Sequence, residues 1–241
     1  MIKPAKHAAD RILFRVLGPR WLQFRARRAW DRHARERSLA ATSSHDAADT
    51  DTYWQSGERD WGLVHGLATR VGIPAHALAI EIGCGLGRIT RQAAPQFERV
   101  IGLDISPEIL KQARLQASAP NISYESVGGE ARIPAGAGSA DLVYAWTVFR
   151  HMSKELFARY LVDVHRVLKP GGSLVFEALI RGSGRGRQPT PSDANTEREY
   201  TTEELRAHAA QHGYVWAADQ AIPSLTQGTH NLVIAWQKPK R

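Results

Sequence analysis

AIEIGCGLGR, residues 79–88, is the stretch on which the reading of this chain turns. A short apolar run of Leu78, Ala79, Ile80 and Ile82 carries one acid, Glu81, and then breaks into three glycines at alternate positions, Gly83, Gly85 and Gly87. Helix-compatible sequence follows at once in residues 88–94, RITRQAA. The pattern predicts a buried parallel strand, a tight turn and a helix N-terminus. Glycine belongs where the backbone takes φ > 0, or where a side chain would hold a ligand away. The unpaired N–H groups of the helix's first turn then face whatever sits against the loop.

Working outward, residues 99–104 (RVIGLD) read as a second buried strand ending in an acid, Asp104, 21 residues beyond Gly83. That is the spacing at which a carboxylate receives a ribose hydroxyl pair in doubly wound nucleotide sites, its two oxygens accepting both hydroxyls. Ser106-Pro107-Glu108 is a strong helix start, with an N-cap serine, proline in the first turn and an acid behind it. Further strands are predicted at 121–125, 140–146, 173–180, 213–219 and 231–237, with helices at 154–168 and from 201 onward. Ser153 caps the first of those helices, and Lys169-Pro170-Gly171-Gly172 stops it. Strand and helix alternate over 76–212, which implies a doubly wound α/β fold: a mostly parallel sheet with helices on both faces.

The chain has 241 residues, enough for one α/β domain with an appendage. No apolar run approaches the roughly 20 residues needed to span a bilayer, and no secretory signal pattern stands out. Cys84 is the single cysteine, which excludes an intrachain disulfide and a multi-cysteine metal site, and fits a cytoplasmic setting. The histidines lack metal-ligand spacing, so no metal is expected.

The net charge of +8 is unevenly spread: residues 1–40 hold eleven Lys or Arg against three acids, the whole excess. Residues 1–57 therefore read as a basic helical extension and linker, and 58–241 as the α/β domain. Within the extension, residues 8–37 mix Arg with Ile12, Leu13, Phe14, Val16, Leu17, Trp21, Leu22, Phe24 and Trp30, interrupted at Gly18-Pro19. Two helices are expected, at 8–17 and 19–37. They suit either packing on the domain or peripheral contact with an anionic membrane; nucleic acid lacks a supporting motif. Residues 38–52 read as a linker, followed by Tyr53 and Trp54 just ahead of a helix from residue 58 to 71. Those two aromatics suit either packing or a cover over a ligand.

Five stretches in order, covering residues 53–237, resemble the class I S-adenosylmethionine-dependent methyltransferases, in particular the type 11 group. They are EIGCGLGR at 81–88, VIGLDIS at 100–106, ADLVYAWTVFRHM at 140–152, RVLKPGGSLVF at 166–176 and EYTTEELRAHAAQHGY at 199–214. The resemblance implies a seven-stranded sheet whose last strand is antiparallel, and S-adenosyl-L-methionine as cofactor. It implies that Gly83, Cys84, Gly85 and Gly87 let the backbone approach the cofactor, and that Glu81 holds its amino-acid end. Asp104 would take the ribose, Ile105 the adenine face, and Ala145 and Trp146 the wall beneath the methyl. Relatives carry an acid after the third strand for the adenine amino group; here Gly129 stands there, so Glu130 or the backbone at Glu130 and Ala131 would serve. The glycine spacing G-x-G-x-G also argues against a nicotinamide site, which uses G-x-G-x-x-G.

Methyl transfer needs alignment, exclusion of water and removal of a proton from an O–H or N–H acceptor. His151, just past the fourth strand at the carboxyl edge, is the candidate base; packing or capping at the next helix is the competing role. Arg150 and Arg88 would meet an acidic substrate or the cofactor carboxylate, or else form ion pairs. The candidate acceptor contacts are Tyr53, Trp54 and Arg150, for a small-molecule, lipid-like or glycan-like acceptor. The competing function is a catalytically inactive cofactor-binding protein acting through its N-terminal arm.

Overall fold

The computed structural model describes residues 19–36, 49–128, 131–181, 197–223 and 229–240. The elements, in chain order, are α1 (Pro19–Glu36), α2 (Thr50–Val71), β1 (Leu78–Ile82), α3 (Thr90–Ala93), β2 (Arg99–Asp104), α4 (Pro107–Gln116) and β3 (Ile122–Ser126). They continue with β4 (Ala140–Ala145), α5 (Lys154–Val167), β5 (Leu168–Arg181), α6 (Thr202–Gln211), β6 (Val215–Ile222) and β7 (Thr229–Gln237).

The seven strands form one sheet in the order β3-β2-β1-β4-β5-β7-β6. The pairs β1–β2, β1–β4, β2–β3 and β4–β5 are parallel, while β7 runs antiparallel to both β5 and β6. The order reverses at β1 and β4. That crevice at the carboxyl edge is where ligands bind in open α/β sheets.

β1 is buried along its whole length, as a central strand must be. Its side chains alternate between two cores. Ile80 and Ile82 join Phe157, Leu161 and Val164 of α5 with Phe176 and Trp236, while Ala79 joins Trp61, Val64 and Leu67 of α2 with Val100 and Val175. At the predicted stop, Leu168 pairs with Ala140 and Ser173 with Leu142, so residues 169–172 loop out of the ladder, with Gly171 at φ 80°.

The extension differs from its sequence reading at one end. α2 begins at Thr50, because Asp49 caps it: its Oδ1 accepts from the Thr52 N–H at 2.8 Å. The cap was hidden in a run of small polar residues that read as linker. Tyr53 and Trp54 therefore lie within a helix, and the boundary proposed at 57/58 falls inside it. Gly57 sits mid-helix where an added Cβ would collide with the Arg88 carbonyl oxygen, so α2 is pressed against the loop after β1. α1 matches the helix expected at 19–37; the helix expected at 8–17, most of the linker and the Arg-rich stretch with Arg185 and Arg187 lie outside the described residues. α1 packs on α4, with Ser106 Oγ donating to Asp31 Oδ1 at 2.5 Å.

Candidate active site

The glycine turn is held against β2. The Gly83 and Cys84 N–H groups both donate to the Leu103 carbonyl, at 2.7 and 2.9 Å. All three glycines have positive φ: Gly83 72°, Gly85 55° and Gly87 83°. Gly83 also abuts Val148, and Gly87 abuts the Tyr124 hydroxyl and Ala117, leaving no room for a Cβ at either position.

The turn opens into a cavity of about 270 Å³. Glu81, Gly83, Cys84, Gly85, Asp104 and Ile105 line one side of it, with Val127 and Gly128 beyond. Asp104 Oδ2 accepts from the Gly85 N–H at 3.1 Å and Oδ1 from the Ser106 N–H at 2.9 Å. Each oxygen keeps lone-pair capacity for a hydroxyl. Burial pushes the Asp104 carboxyl up to about 6, against those backbone bonds, which lower it. Glu81 Oε2 accepts from Thr90 Oγ1 at 2.5 Å and Tyr144 Oη at 3.3 Å, leaving Oε1 without a bond among the described residues. Burial drives Glu81 up to about 8, despite the Thr90 bond and the nearby Arg88 charge. A buried carboxylate with a spare oxygen suits a cationic ammonium, whose charge would hold it ionised. The donor set therefore fits S-adenosylmethionine: an acid for its ammonium, a glycine turn for its backbone-like end and a second acid for its ribose.

The opposite side has different chemistry. Trp146, Thr147, Val148, Arg150, His151 and Met152 line it from the segment after β4, Glu197 from the chain returning after β5, and Ala26 and Trp30 from α1. Thr147 holds φ 56°, a left-handed value that costs a non-glycine residue energy and concentrates at functional sites. His151 closes a short 3₁₀ turn, its ring 5.7 Å from that of Trp30 and steeply inclined to it. Its Nδ1 is buried with no partner among the described residues, as is Trp146 Nε1. Burial lowers His151 to about 4, with Glu197 pulling it up and Arg150 down, so the imidazole is neutral at pH 7.

Several predicted site residues stand elsewhere. Ala145 is buried in the core with Ile82 and Phe176, while its neighbour Trp146 lines the cavity. Ala131 is also core, and Glu130 and Gly129 lie outside the described residues. Gly87 serves packing on Tyr124 and does not line the cavity. Tyr53 is core, with Leu86 and Ile109, and Trp54 lies 4.7 Å beneath the Arg91 guanidinium; neither borders the cavity. Arg150 does border it, but not as a free cation: it pairs with Glu177 and, at 2.9 Å, with Glu197. Arg88 likewise pairs with Asp60 at 2.6 Å. Cys84 is buried and its thiol is pushed well above the usual range by burial, which leaves it unreactive. No cluster of metal-ligating side chains occurs among the described residues.

Sequence reasoning missed Trp30, Ala26, Thr147 and Glu197 as members of the site. Trp30 was visible as part of an apolar stripe; nothing in that stripe indicated that it would face this cavity.

A sheet of this order, with paired acids ending β1 and β2 around a glycine turn, defines a class I methyltransferase-like α/β protein. Residues 79–172 match a family model described as a methyltransferase domain. An uncharacterized methyltransferase of Synechocystis sp. is 35% identical over 119 residues, covering 46% of this chain and 54% of that protein. The trans-aconitate 2-methyltransferase of Methylobacterium radiotolerans is 35% identical over 113 residues, covering 46% of this chain and 41% of that protein. The matched region thus spans about half the length of these curated relatives. Among solved structures, the 1,6-didemethyltoxoflavin-N1-methyltransferase of Burkholderia thailandensis, with its substrate and S-adenosylhomocysteine bound, superposes with a TM-score of 0.62 at 21% identity. That superposition covers 82% of this chain and 84% of the other. The match over residues 79–172 and the shared fold support a place among the class I S-adenosylmethionine-dependent methyltransferases.

Proposed function

We propose that this chain transfers a methyl group from S-adenosylmethionine to an O–H or N–H of a small-molecule acceptor, with His151 as the base. The observation that carries the reading is the single cavity joining Glu81, Gly85 and Asp104 on one side to His151, beyond Trp146, on the other. When bound, the cofactor supplies an electrophilic methyl on a sulfonium. Glu81 Oε1 would hold the ammonium, the Gly83–Gly85 backbone would border the methionine portion, and Asp104 would take the ribose hydroxyls. Ile105, Val127 and Gly128 would border the adenine, with Glu130 nearby in sequence.

On the acceptor side, neutral His151 would take the proton on its imidazole as the acceptor's oxygen or nitrogen attacks. Trp146, Met152 and Trp30 would exclude water and hold an apolar or planar acceptor. Arg150, neutralised by Glu177 and Glu197, would keep the turn bearing His151 in place and is not the site of an acidic substrate. Lipid-like acceptors suit this wall better than glycans, because most of its side chains are apolar. Relatives named as quinone, trans-aconitate and toxoflavin-precursor methyltransferases support catalysis over a binding-only role.

Incubation of the chain with labelled cofactor and a panel of small phenols, quinols and acids tests this reading. Label in an O- or N-methyl product, lost in His151→Ala with cofactor binding intact, is the expected result. Absence of S-adenosylhomocysteine binding in calorimetry would overturn it.

A further inference from the structure

α1 has two different faces. Ala26, Ala29, Trp30 and Asp31 are partly shielded; Ala26 and Trp30 border the cavity, and Asp31 bonds Ser106 beside the ribose acid. Phe24, Arg27, Arg28, Arg32 and Arg35 are exposed on the outer side. Positions 24, 28, 32 and 35 follow helical spacing and form one stripe. Phe24 is 48% exposed, unusually open for a phenyl ring, and the Arg28 guanidinium stands 5.6 Å from it. Asp31 accepts from Ser106 on the inner side and lies 3.8 Å from Arg27. The outer stripe thus presents three cations, Arg28, Arg32 and Arg35, with the Phe24 ring among them.

We propose that this outer face docks on an anionic phospholipid surface. Charge complementarity selects a polyanion, since the excess charge of the chain sits in residues 1–40. The apolar component selects lipid over nucleic acid. A phosphate backbone needs only cations, whereas an interfacial helix pairs cations with rings and aliphatic groups that enter the headgroup boundary. Upstream sequence continues the mixture, with Lys3, Lys6, Arg11 and Arg15 among Ile12, Leu13, Phe14, Val16 and Leu17. Because the inner face of α1 borders the cavity, docking brings the acceptor side to the membrane, where an amphipathic acceptor resides. This last consequence rests on the proposed methyl transfer; the docking does not.

The test is co-sedimentation of the full chain with phosphatidylglycerol-containing vesicles, and with vesicles of phosphatidylcholine alone. Binding to the anionic vesicles alone, released by rising salt, is expected. The triple variant R28Q/R32Q/R35Q, which touches no cavity residue, should bind about a hundredfold more weakly at low salt, from about fivefold per cation lost. Its retained S-adenosylhomocysteine affinity would show that it is folded. Equal partition onto both vesicle types, unchanged binding in the triple variant, or tighter binding to a DNA duplex than to the vesicles would each overturn the proposal. Methyl transfer enters none of these measurements, so loss of the catalytic reading would leave the result standing.

Discussion

The cofactor half of the cavity rests on two adjacent strands, whereas the acceptor half is gathered from three distant segments. Glu81 and Asp104 end β1 and β2, which lie side by side and share the glycine turn. Trp30 comes from α1, His151 from the turn after β4, and Glu197 from the chain returning after β5. The first half is polar and tightly hydrogen-bonded. The second is largely apolar around one imidazole, with Arg150 neutralised by two glutamates. A shared cofactor keeps the first constant in type, while the second is free to differ with the acceptor.

Changes confined to one half should leave the other intact. The largest effect is expected from His151→Ala, a fall in kcat of about 10²–10⁴-fold with S-adenosylhomocysteine affinity unchanged. A matching loss of affinity would mean that the two halves are not separable. With cofactor saturating, so that Glu81 and Asp104 are already engaged, the wild-type kcat/KM for the acceptor should stay level from neutral pH down to about pH 5, because His151 is neutral until about 4.

Next comes Glu81→Gln. It should weaken S-adenosylhomocysteine binding about 10–100-fold by removing a charge-assisted bond. The fold should survive, since an amide oxygen can still accept from Thr90. At pH 7 Glu81 holds its proton, as its carboxyl titrates at about 8. An ammonium placed on it should expel that proton. The calorimetric enthalpy of binding should therefore vary with the buffer's ionisation heat in the wild type and lose that dependence in Glu81→Gln.

A smaller effect is expected from Trp30→Ala: about a tenfold rise in acceptor KM with cofactor affinity unaltered. If cofactor affinity fell as far as KM rose, α1 would belong to the cofactor half.

The least effect on function is a stability one. Glu81 and Asp104 titrate above their unfolded values, so the stability they contribute is full below about pH 4 and is lost as pH rises, through about 6 for Asp104 and 8 for Glu81. The melting temperature of the ligand-free protein should fall less steeply between pH 5 and 8 in Glu81→Gln than in wild type. The difference should be roughly 5 °C. Parallel slopes would show that Glu81 is not buried as described.

The contrast also explains what was legible in the chain. The strands, the N-caps at Ser106 and Ser153 and the capping box of Thr201 with Glu204 follow from local pattern, while the antiparallel β7 was implied by the family resemblance. Asp104 could be named because its spacing from the glycine turn defines it, and Glu81 because the resemblance singles it out. Which of Ala145 and Trp146 borders the cavity was not legible: the strand's exit turns Trp146 toward it and leaves Ala145 in the core. Of the two roles open to Tyr53 and Trp54, packing is the one their places fit; their helix was not legible because the Asp49 cap was hidden among small polar residues.

The sequence by itself determined the sheet, the glycine turn, the two acids and the location of excess charge, because each is written in short-range periodicity or spacing. Only the tertiary structure decided that Arg150 is neutralised, that His151 is buried and neutral, and that Trp30 of the basic arm borders the cavity. Those outcomes depend on which distant segments meet, and helix periodicity records that a face is apolar without recording what it will cover.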